Sequence, residues 1–425
     1  MSDFASQTPE PVPPDERTTS GSGRWNAFAP ALRSRNFRLF WFAQIISTIG
    51  TSLQVISEGY LIYDITDSTF WLGAVGFISL LPVLPISLAG GILIDRLPRR
   101  KLIMITQFGL FVQAMLFAIL ALTGRVALWN VILLYFVFGA LMAIDHPARR
   151  AFLVDIVNRE DLANAVALNA TVFNVSSLIG FAAGGVLIAT IGVGGTMFIN
   201  ALTYLAPILA LAAMRIVDVI QDTKETKFSA AISEGFTTLL KQPVILSVIA
   251  IMAVVGGLAY PVFGLMPAYA EEIMQVDAVG LGLLLAAGAF GSVLGTFGAT
   301  RLGGEHRGRH LILSGLALSI LVILFAHAPN MWAACFILIF LGFMLLVVQS
   351  LAITVVQLHT PDRVRGRVMS IYSILHAGAD SGGNLVIGAL AVPIGLVAAL
   401  TAAGAAAFSF AFGLNLIYPK IRRLE

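Results

Sequence analysis

The sequence predicts an all-α polytopic membrane protein with twelve transmembrane helices in two pseudo-symmetric six-helix bundles. Composition is the first reason: of 425 residues, 58% are hydrophobic and 12% are charged, whereas soluble domains carry about 25% charged residues. The second reason is a set of apolar segments, each close to the roughly 17–25 residues needed to cross a bilayer. The third is their spacing, because a polar stretch at 215–242 separates six segments from six more.

The chain divides into five parts. Residues 1–35 are rich in Pro, Ser, Thr and charge and contain no apolar run, which predicts a disordered cytoplasmic tail and not a signal peptide. The two halves cover 36–214 and 243–418, a cytoplasmic linker covers 215–242, and 419–425 form a second cytoplasmic tail. The predicted spans are 37–62, 71–93, 102–122, 129–147, 165–188, 194–214, 243–269, 278–300, 309–327, 331–355, 369–392 and 397–418.

Basic residues predict the orientation. If the N-terminus is cytoplasmic, the tails and inner loops hold all but one of the 26 Lys and Arg residues, and only Arg125 lies outside. Such an excess of cations is typical of cytoplasmic loops. Trp71, Trp129 and Trp332 each begin a span at the predicted outer surface, where aromatic residues concentrate. The sequence therefore predicts that both termini are cytoplasmic.

A charged turn between the second and third spans carries the main family resemblance. It reads G-G-I-L-I-D-R-L-P-R-R-K at 90–101. This stretch resembles the loop 2–3 signature of the major facilitator superfamily, G-x-x-x-D-R-x-G-R-R/K, with Pro98 in place of the second glycine. The resemblance covers about residues 36–420. The positions that match the signature are Gly91, Asp95, Arg96, Arg99 and Arg100.

Three further motifs resemble the superfamily branch that contains siderophore (enterobactin-type) and drug exporters. They are F-R-L-F-W at 37–41, D-H-P-A-R-R-A-F at 145–152 and R-G-R-V-M-S at 365–370. The resemblance implies an antiporter of the bacterial inner membrane. It would export a small organic molecule in exchange for protons, as a monomer, by alternating access. A proton-coupled importer is the alternative, and a membrane sensor or enzyme is a third possibility that lacks a large soluble insertion to support it.

The two halves retain traces of a duplication. Residues 180–185 of the fifth span and 378–383 of the eleventh share the pattern G-x-x-x-G-G. The fifth-span copy also resembles the exporter pattern G-P-x-x-G-G, with Phe181 where proline is expected. Glycines of this kind allow close approach between membrane helices. Two homologous halves with a site between them are therefore expected.

The resemblance also implies a cytoplasmic latch between the halves. Asp95 is expected to face the N-terminal end of the eleventh helix near 366–370, where an anion is stabilised by about 0.3–1 kcal/mol. Arg96 is expected to pair with Asp145, in loop 4–5, or with Asp155. The predicted latch consists of Gly91, Asp95, Arg96, Arg99, Arg100, Asp145 and Arg149.

Polar side chains inside the spans predict a water-filled path, because each costs free energy unless it faces a cavity or a partner. On the first and eleventh helices they share one face. Asp380 lies at mid-span and Glu58 nearer the outer end, so both are candidates for proton coupling, with Asp380 the deeper. Each of these residues also has an alternative interpretation without a transport role. In it, Glu58 is a solvated acid at the membrane interface, Asp380 is hydrogen-bonded to neighbouring Ser and Asn residues, and Asn174 binds helices together. The predicted substrate path consists of Gln44, Thr48, Thr51, Asn174, Ser373, His376 and Asn384.

Several chemistries have no motif in the sequence. H-E-x-x-H, C-x-x-C and G-x-x-x-x-G-K-[ST] do not occur, and Cys335 is the single cysteine. Nothing resembles a nucleic-acid-binding module. The expected partners are therefore a small-molecule substrate, protons and the lipid bilayer, with no cofactor, metal or nucleic acid and no enzymatic activity.

Overall fold

A computed structural model describes residues 29–83, 85–86, 98–214, 239, 242–304 and 306–418. The described part is built of helices and contains no β-strand. One short 3₁₀ helix, Pro30–Arg33, precedes the first long helix. The long helices are α1 Arg35–Thr66, α2 Thr69–Leu80, α3 Arg99–Leu122, α4 Leu128–Ile156, α5 Leu162–Thr203, α6 Leu205–Ala213, α7 beginning at Pro243–Ile251, α8 Ala278–Leu302, α9 Arg307–Ala326, α10 Met331–His359, α11 Asp362–Ile394 and α12 Leu396–Ile417.

Nine stretches in the described part are long and apolar enough to cross a membrane. One of them, Leu162–Ala213, has 52 residues, far more than one span requires. Its backbone reverses at Gly192, where φ is +74°, a value that glycine adopts without steric cost. Residues before and after Gly192 therefore form the fifth and sixth spans. Two other helices are not among the nine stretches. The described part of α2 is too short to cross a membrane, and α11 contains too many polar residues to be recognised as a membrane span by its hydropathy.

Short polar side chains begin several helices. Ser34 accepts a hydrogen bond from the amide of Phe37 at α1. Asp277 accepts one from Gly280 at α8, over 3.0 Å, and Asn330 accepts one from Ala333 at α10, also over 3.0 Å. Each cap satisfies one of the amide groups that the first turn leaves without a partner.

Two charged stretches predicted as loops are helical. Residues 145–150 lie within α4, which continues through Pro147 to Ile156. Residues 362–367 form the first turns of α11. A proline inside a helix removes one backbone hydrogen bond and need not end the helix. The charged residues of loops 4–5 and 10–11 are therefore held on rigid helix ends.

The seventh span, predicted at 243–269, is an irregular helix. It contains π-helical turns at Met252–Gly256 and Tyr269–Ile273. Between them the helix is interrupted near Pro261 and Pro267, which cannot donate backbone hydrogen bonds. π-Turns inside helices are frequent at functional sites. The label α7 is used below for the whole of residues 243–273.

The two halves are in close contact at the end that the sequence predicts to be the outer one, where Asp67 and Asp277 connect successive helices. A Cβ atom at Gly185 of α5 would lie 2.9 Å from the Cα of Gly282 of α8. The Thr69 hydroxyl of α2 donates to the Gly388 carbonyl of α11 over 3.0 Å. These contacts close the described part of the interface at its predicted outer end.

Candidate proton and substrate sites

The carboxyl group of Glu58 lies in the interior of the first half. Only 2% of Glu58 is exposed. Its Oε1 accepts a hydrogen bond of 2.7 Å from Nε2 of Gln54, one turn earlier on α1. Tyr135 of α4 lies within electrostatic range of the carboxyl group. Glu58 therefore has a hydrogen-bond partner on its own helix and a polar neighbour on α4.

Gln54 is the centre of this cluster and is completely buried. Besides Glu58, its Nε2 donates to Oε1 of Gln113 on α3 over 3.2 Å. Its Oε1 accepts from Nδ2 of Asn200 over 2.7 Å and from the hydroxyl of Tyr204 over 3.1 Å. Both donors and both acceptor positions of the amide are thus used. We call this group the Gln54 cluster; its members are Gln54, Glu58, Gln113, Tyr135, Asn200 and Tyr204.

The position of Glu58 differs from the one expected from the sequence. Glu58 is not close to bulk water, and it is more deeply buried than Asp380, whose side chain is 18% exposed. The polar face of α1 at Ser47, Gln54 and Glu58 is turned into the first half, because α3 and the sixth span supply the hydrogen-bonding partners of Gln54. Periodicity along α1 identifies this face but contains no information about which helices cover it.

A second buried cluster lies towards the predicted inner end of the same half. Asp145 of α4 is 1% exposed and accepts hydrogen bonds from Thr106 Oγ1 over 2.7 Å and Gln107 Nε2 over 3.0 Å. It also forms an ion pair with Arg149 one turn later. The amide oxygen of Gln107 is buried and has no hydrogen-bond partner. We call Thr106, Gln107, Asp145 and Arg149 the Asp145 cluster.

The residues predicted to form the latch are only partly within the described structure. Gly91, Asp95 and Arg96 lie outside the described residues. Asp155, one of two acids expected near Arg96, is paired with Arg99 over 2.9 Å. Arg100 donates to the carbonyl of Ala212 over 3.2 Å. The described latch residues therefore make contacts inside the first half.

Asp380 has a different environment from Glu58. Its Oδ2 lies 3.5 Å from Nδ1 of His376, one turn earlier on α11, which is long for a hydrogen bond. Its Oδ1 is buried and has no hydrogen-bond partner. One turn later, Asn384 is 8% exposed and its Oδ1 also has no partner. Groups of this kind are uncommon in folded proteins and need a physical explanation.

The irregular α7 packs directly against this part of α11. A Cβ at Gly257 would lie 2.8 Å from the carbonyl oxygen of Ala379. The side chain of Asn384 packs on Gly264. Tyr260 lies within electrostatic range of Asp380. The interrupted helix and the unpaired polar atoms therefore occupy the same region of the second half.

The other predicted substrate-path residues do not form one group. Asn174 donates to Thr296 of α8 over 3.2 Å, so it joins α5 to the other half. Ser373 is exposed and donates to the carbonyl of Met369, on its own helix. Thr51 bonds back to Ser47 in the same way. The remaining ones are the half-buried Gln44, whose amide oxygen has no partner, and the half-buried Thr48.

Sequence reasoning did not identify Gln54, Gln113, Tyr135 or Tyr204 as members of a site. A signal was present, since Gln54 and Gln113 are polar residues inside apolar spans and such residues need partners. Their partners lie on four different segments of the chain, however, and only the packed structure brings them together. No group of three or more His, Cys, Asp or Glu residues in the described part could hold a metal ion.

Comparisons with known proteins agree with this architecture. The family model for transmembrane secretion effectors matches residues 25–424. The enterobactin exporter EntS of Escherichia coli O1:K1 is 26% identical over 393 residues, which cover 92% of this chain and 93% of the relative. EntS of Salmonella typhi is 26% identical over 400 residues and covers 92% and 94% of the two chains.

Solved structures share the fold. A POT family transporter in complex with 5-aminolevulinic acid has a TM-score of 0.72 at 12% identity, with 91% of this chain and 97% of that chain covered. The nucleoside transporter NupG has a TM-score of 0.72 at 10% identity, with coverage of 90% and 99%. A bacterial homologue of the lysosomal transporter Spinster, in an inward-facing and unoccupied conformation, has a TM-score of 0.67 at 14% identity, with coverage of 95% and 97%.

Proposed function

The chain belongs to the transmembrane secretion effector family of the major facilitator superfamily, and from this premise we propose that it exports a siderophore- or drug-like organic molecule in exchange for protons. Its relatives in Escherichia and Salmonella are named as exporters of enterobactin. The observation that carries the proposal is Asp380, a membrane-embedded carboxyl group with one unpaired, buried oxygen beside an irregular helix. An ionisable group inside a membrane-spanning helix is by default a functional one.

Asp380 suits alternating access because α11 borders the interface between the halves. Thr69 and Gly73 of α2 contact α11 towards the predicted outer end. In this conformation one side-chain oxygen of Asp380 and one of Asn384 have no hydrogen-bond partner. Rocking of the halves would bring different groups next to these oxygens. Proton binding and substrate binding could then alternate at one carboxyl group. Glu58 is proposed as a second coupling residue.

Proteoliposomes with an imposed pH gradient test this function, with enterobactin and ethidium as probes. Wild-type protein should concentrate at least one probe against its gradient. Asp380→Asn should abolish this accumulation and keep some downhill exchange, since the amide retains the size and much of the hydrogen bonding of the acid. Asp362→Asn is the matched control, because Asp362 lies on the same helix and its side chain is 88% exposed. Full accumulation by Asp380→Asn would contradict the assignment.

The orientation and the latch are proposals of the same kind. We place both termini in the cytoplasm, which makes the end near Arg99 the inner one. Asp95→Asn should then impair transport at normal protein levels, because it removes the anion expected at the start of α11. Thr300→Asp, which restores an acid at the corresponding position of the second half, should not rescue it. Undiminished transport by Asp95→Asn would remove the latch from the mechanism.

A further inference from the structure

Polar groups continue through the interior of the first half from Glu58 to Asp145, and nothing in the export cycle described above uses the groups between them. We propose that this line is a proton pathway, distinct from the site around Asp380, which connects Glu58 with the predicted inner end of the protein. Bridging water molecules complete it, and Gln54 and Tyr204 act as positioning residues. The inference rests on the proposed proton-coupled export.

The outer part of the pathway is a chain of short hydrogen bonds. Gln54 joins Glu58 to Tyr204 through the bonds of 2.7 and 3.1 Å described above. Thr51 lies near the Tyr204 hydroxyl and is half-buried. Every one of these groups lies inside a predicted span, where an unused polar group would be costly. The hydrogen bonds therefore lead from Glu58 through the buried Gln54 to the buried Tyr204, with Thr51 beside it.

The inner part contains the polar atoms that lack partners. The amide oxygens of Gln44 and Gln107 are both buried and unpaired, and Gln107 is completely buried. Arg149, beside Gln107 through their shared contact with Asp145, is also within electrostatic range of Tyr204. Buried waters typically make about three hydrogen bonds to polar groups of this kind. The unpaired oxygen of Gln107, next to Asp145 and Arg149, thus indicates where a bridging water binds, and the unpaired oxygen of Gln44 marks a second such position.

Polar residues of α1 line the proposed pathway along its length. Gln44, Ser47, Thr51, Gln54 and Glu58 recur every three or four residues, so they share one face of α1. From the first to the last they span about 21 Å at 1.5 Å per residue. Gln54 and Glu58 are hydrogen-bonded directly across one turn. At the inner turns, which are about 5.4 Å apart, one bridging water can connect side chains that do not reach one another. The line is therefore longer than half the hydrocarbon thickness of a membrane, which is about 15 Å.

Proton movement along this line requires no other reactant. Each bridging water accepts one proton and releases another, so bulk water at the inner end loses the proton that the Glu58 carboxylate gains. The titratable or charged groups that face the line from the packed helices are Tyr135 and Asp145 with Arg149 on α4, and Tyr204 on the sixth span. Asp145 and Arg149 form an ion pair at the inner part of the line, and His146 and Arg150 lie within electrostatic range of this part.

The test measures proton access to Glu58 directly in the full-length protein. Purified protein in lipid is moved from H₂O to D₂O at about pH 5, and the infrared band of the protonated Glu58 carboxyl is followed; Glu58→Gln identifies the band by its loss. Gln107→Met and Tyr204→Phe should slow deuterium exchange at this band at least tenfold. Tyr269→Phe is the matched control, because Tyr269 is a buried tyrosine of the second half whose hydroxyl donates to the Phe325 carbonyl over 2.7 Å.

Three outcomes would overturn the pathway: exchange at the wild-type rate in both variants, equal slowing by Tyr269→Phe, or no band that Glu58→Gln removes. Melting temperatures of the variants, measured in the same lipid, identify any general loss of structure. Accumulation of the probes under a pH gradient is recorded on the same preparations. If wild-type protein fails to accumulate them while Glu58 exchanges as expected, export by proton exchange fails and the pathway itself is retained.

Discussion

The two halves share a glycine pattern, and its two copies have different surroundings. On α5, a Cβ at Gly180 would lie 2.7 Å from the carbonyl of Ile49, and one at Gly185 would lie 2.9 Å from Gly282 of the other half. On α11, Gly383 packs against Gly257, but Gly378 and Gly382 have no atom within 4 Å of a Cβ. The pattern is therefore used for close packing throughout the first copy and only at its end in the second.

The two membrane-embedded carboxyl groups, one in each half, also have different surroundings. Glu58 is hydrogen-bonded to the completely buried Gln54, whereas Asp380 has an unpaired oxygen. Satisfied polar networks make a region rigid, and partly satisfied ones mark places where partners change. The contrast therefore concerns the immediate surroundings of the two carboxyl groups, because unpaired buried oxygens also occur in the first half, at Gln44 and Gln107.

Substitution of the glycines tests the packing side of this comparison and should have the largest effect. Gly185→Leu places a side chain against backbone atoms of Ala278 and Gly282, which cannot move cheaply. We expect a loss of at least about 1–3 kcal/mol of stability, typical of overpacking, and little folded protein. Gly378→Leu should yield normal amounts, measured by fluorescence-detected gel filtration. Equal yields of the two variants would show that the copies are packed alike.

Removal of each carboxyl group tests the electrostatic side. Glu58→Leu leaves one N–H of the buried Gln54 amide without its acceptor, which should cost about 1–3 kcal/mol and lower the melting temperature. Asp380→Leu removes a carboxyl group whose Oδ1 has no hydrogen-bond partner, so the melting temperature should stay the same or rise. Thermal unfolding of the purified variants in detergent measures both. A larger loss for Asp380→Leu would reverse the contrast.

A smaller effect is expected where the halves meet. The hydroxyl of Tyr63 on α1 donates to Glu272 on α7 at the predicted outer end. Tyr63→Phe should weaken this closure by about 0.5–1.5 kcal/mol and increase the population open at that end. Spin labels at the exposed positions Asp67 and Glu271, after Cys335→Ala, would report longer distances. An unchanged distance distribution would mean that other contacts hold the halves together.

The smallest effect concerns an ion pair within the first half. Asp155 is 34% exposed and pairs with Arg99. Asp155→Asn should cost no more than about 1 kcal/mol, and less at high salt, because solvent screens partly exposed pairs. Asp145→Asn should cost more, since Asp145 is buried and has three partners. Melting temperatures at low and high salt provide the comparison.

The sequence by itself determined the class of the protein and the rough extent of its helices. Composition and the apolar periodicity of each span are local properties, so they identified the two sets of six segments, and the charged turn at 90–101 identified the superfamily. The eleventh span revealed Asp380 in the same way, because a carboxyl group within an apolar segment is visible without any knowledge of its neighbours.

The tertiary structure decided what faces each polar residue. Gln54 makes hydrogen bonds to Gln113, Asn200 and Tyr204, which are 59, 146 and 150 residues away along the chain. Glu58 was expected near water, and it lies in the interior because α3, α4 and the sixth span cover that face of α1. Periodicity shows which residues of a helix share a face, but the rotation of that helix against its neighbours depends on packing at glycines such as Gly180 and Gly184.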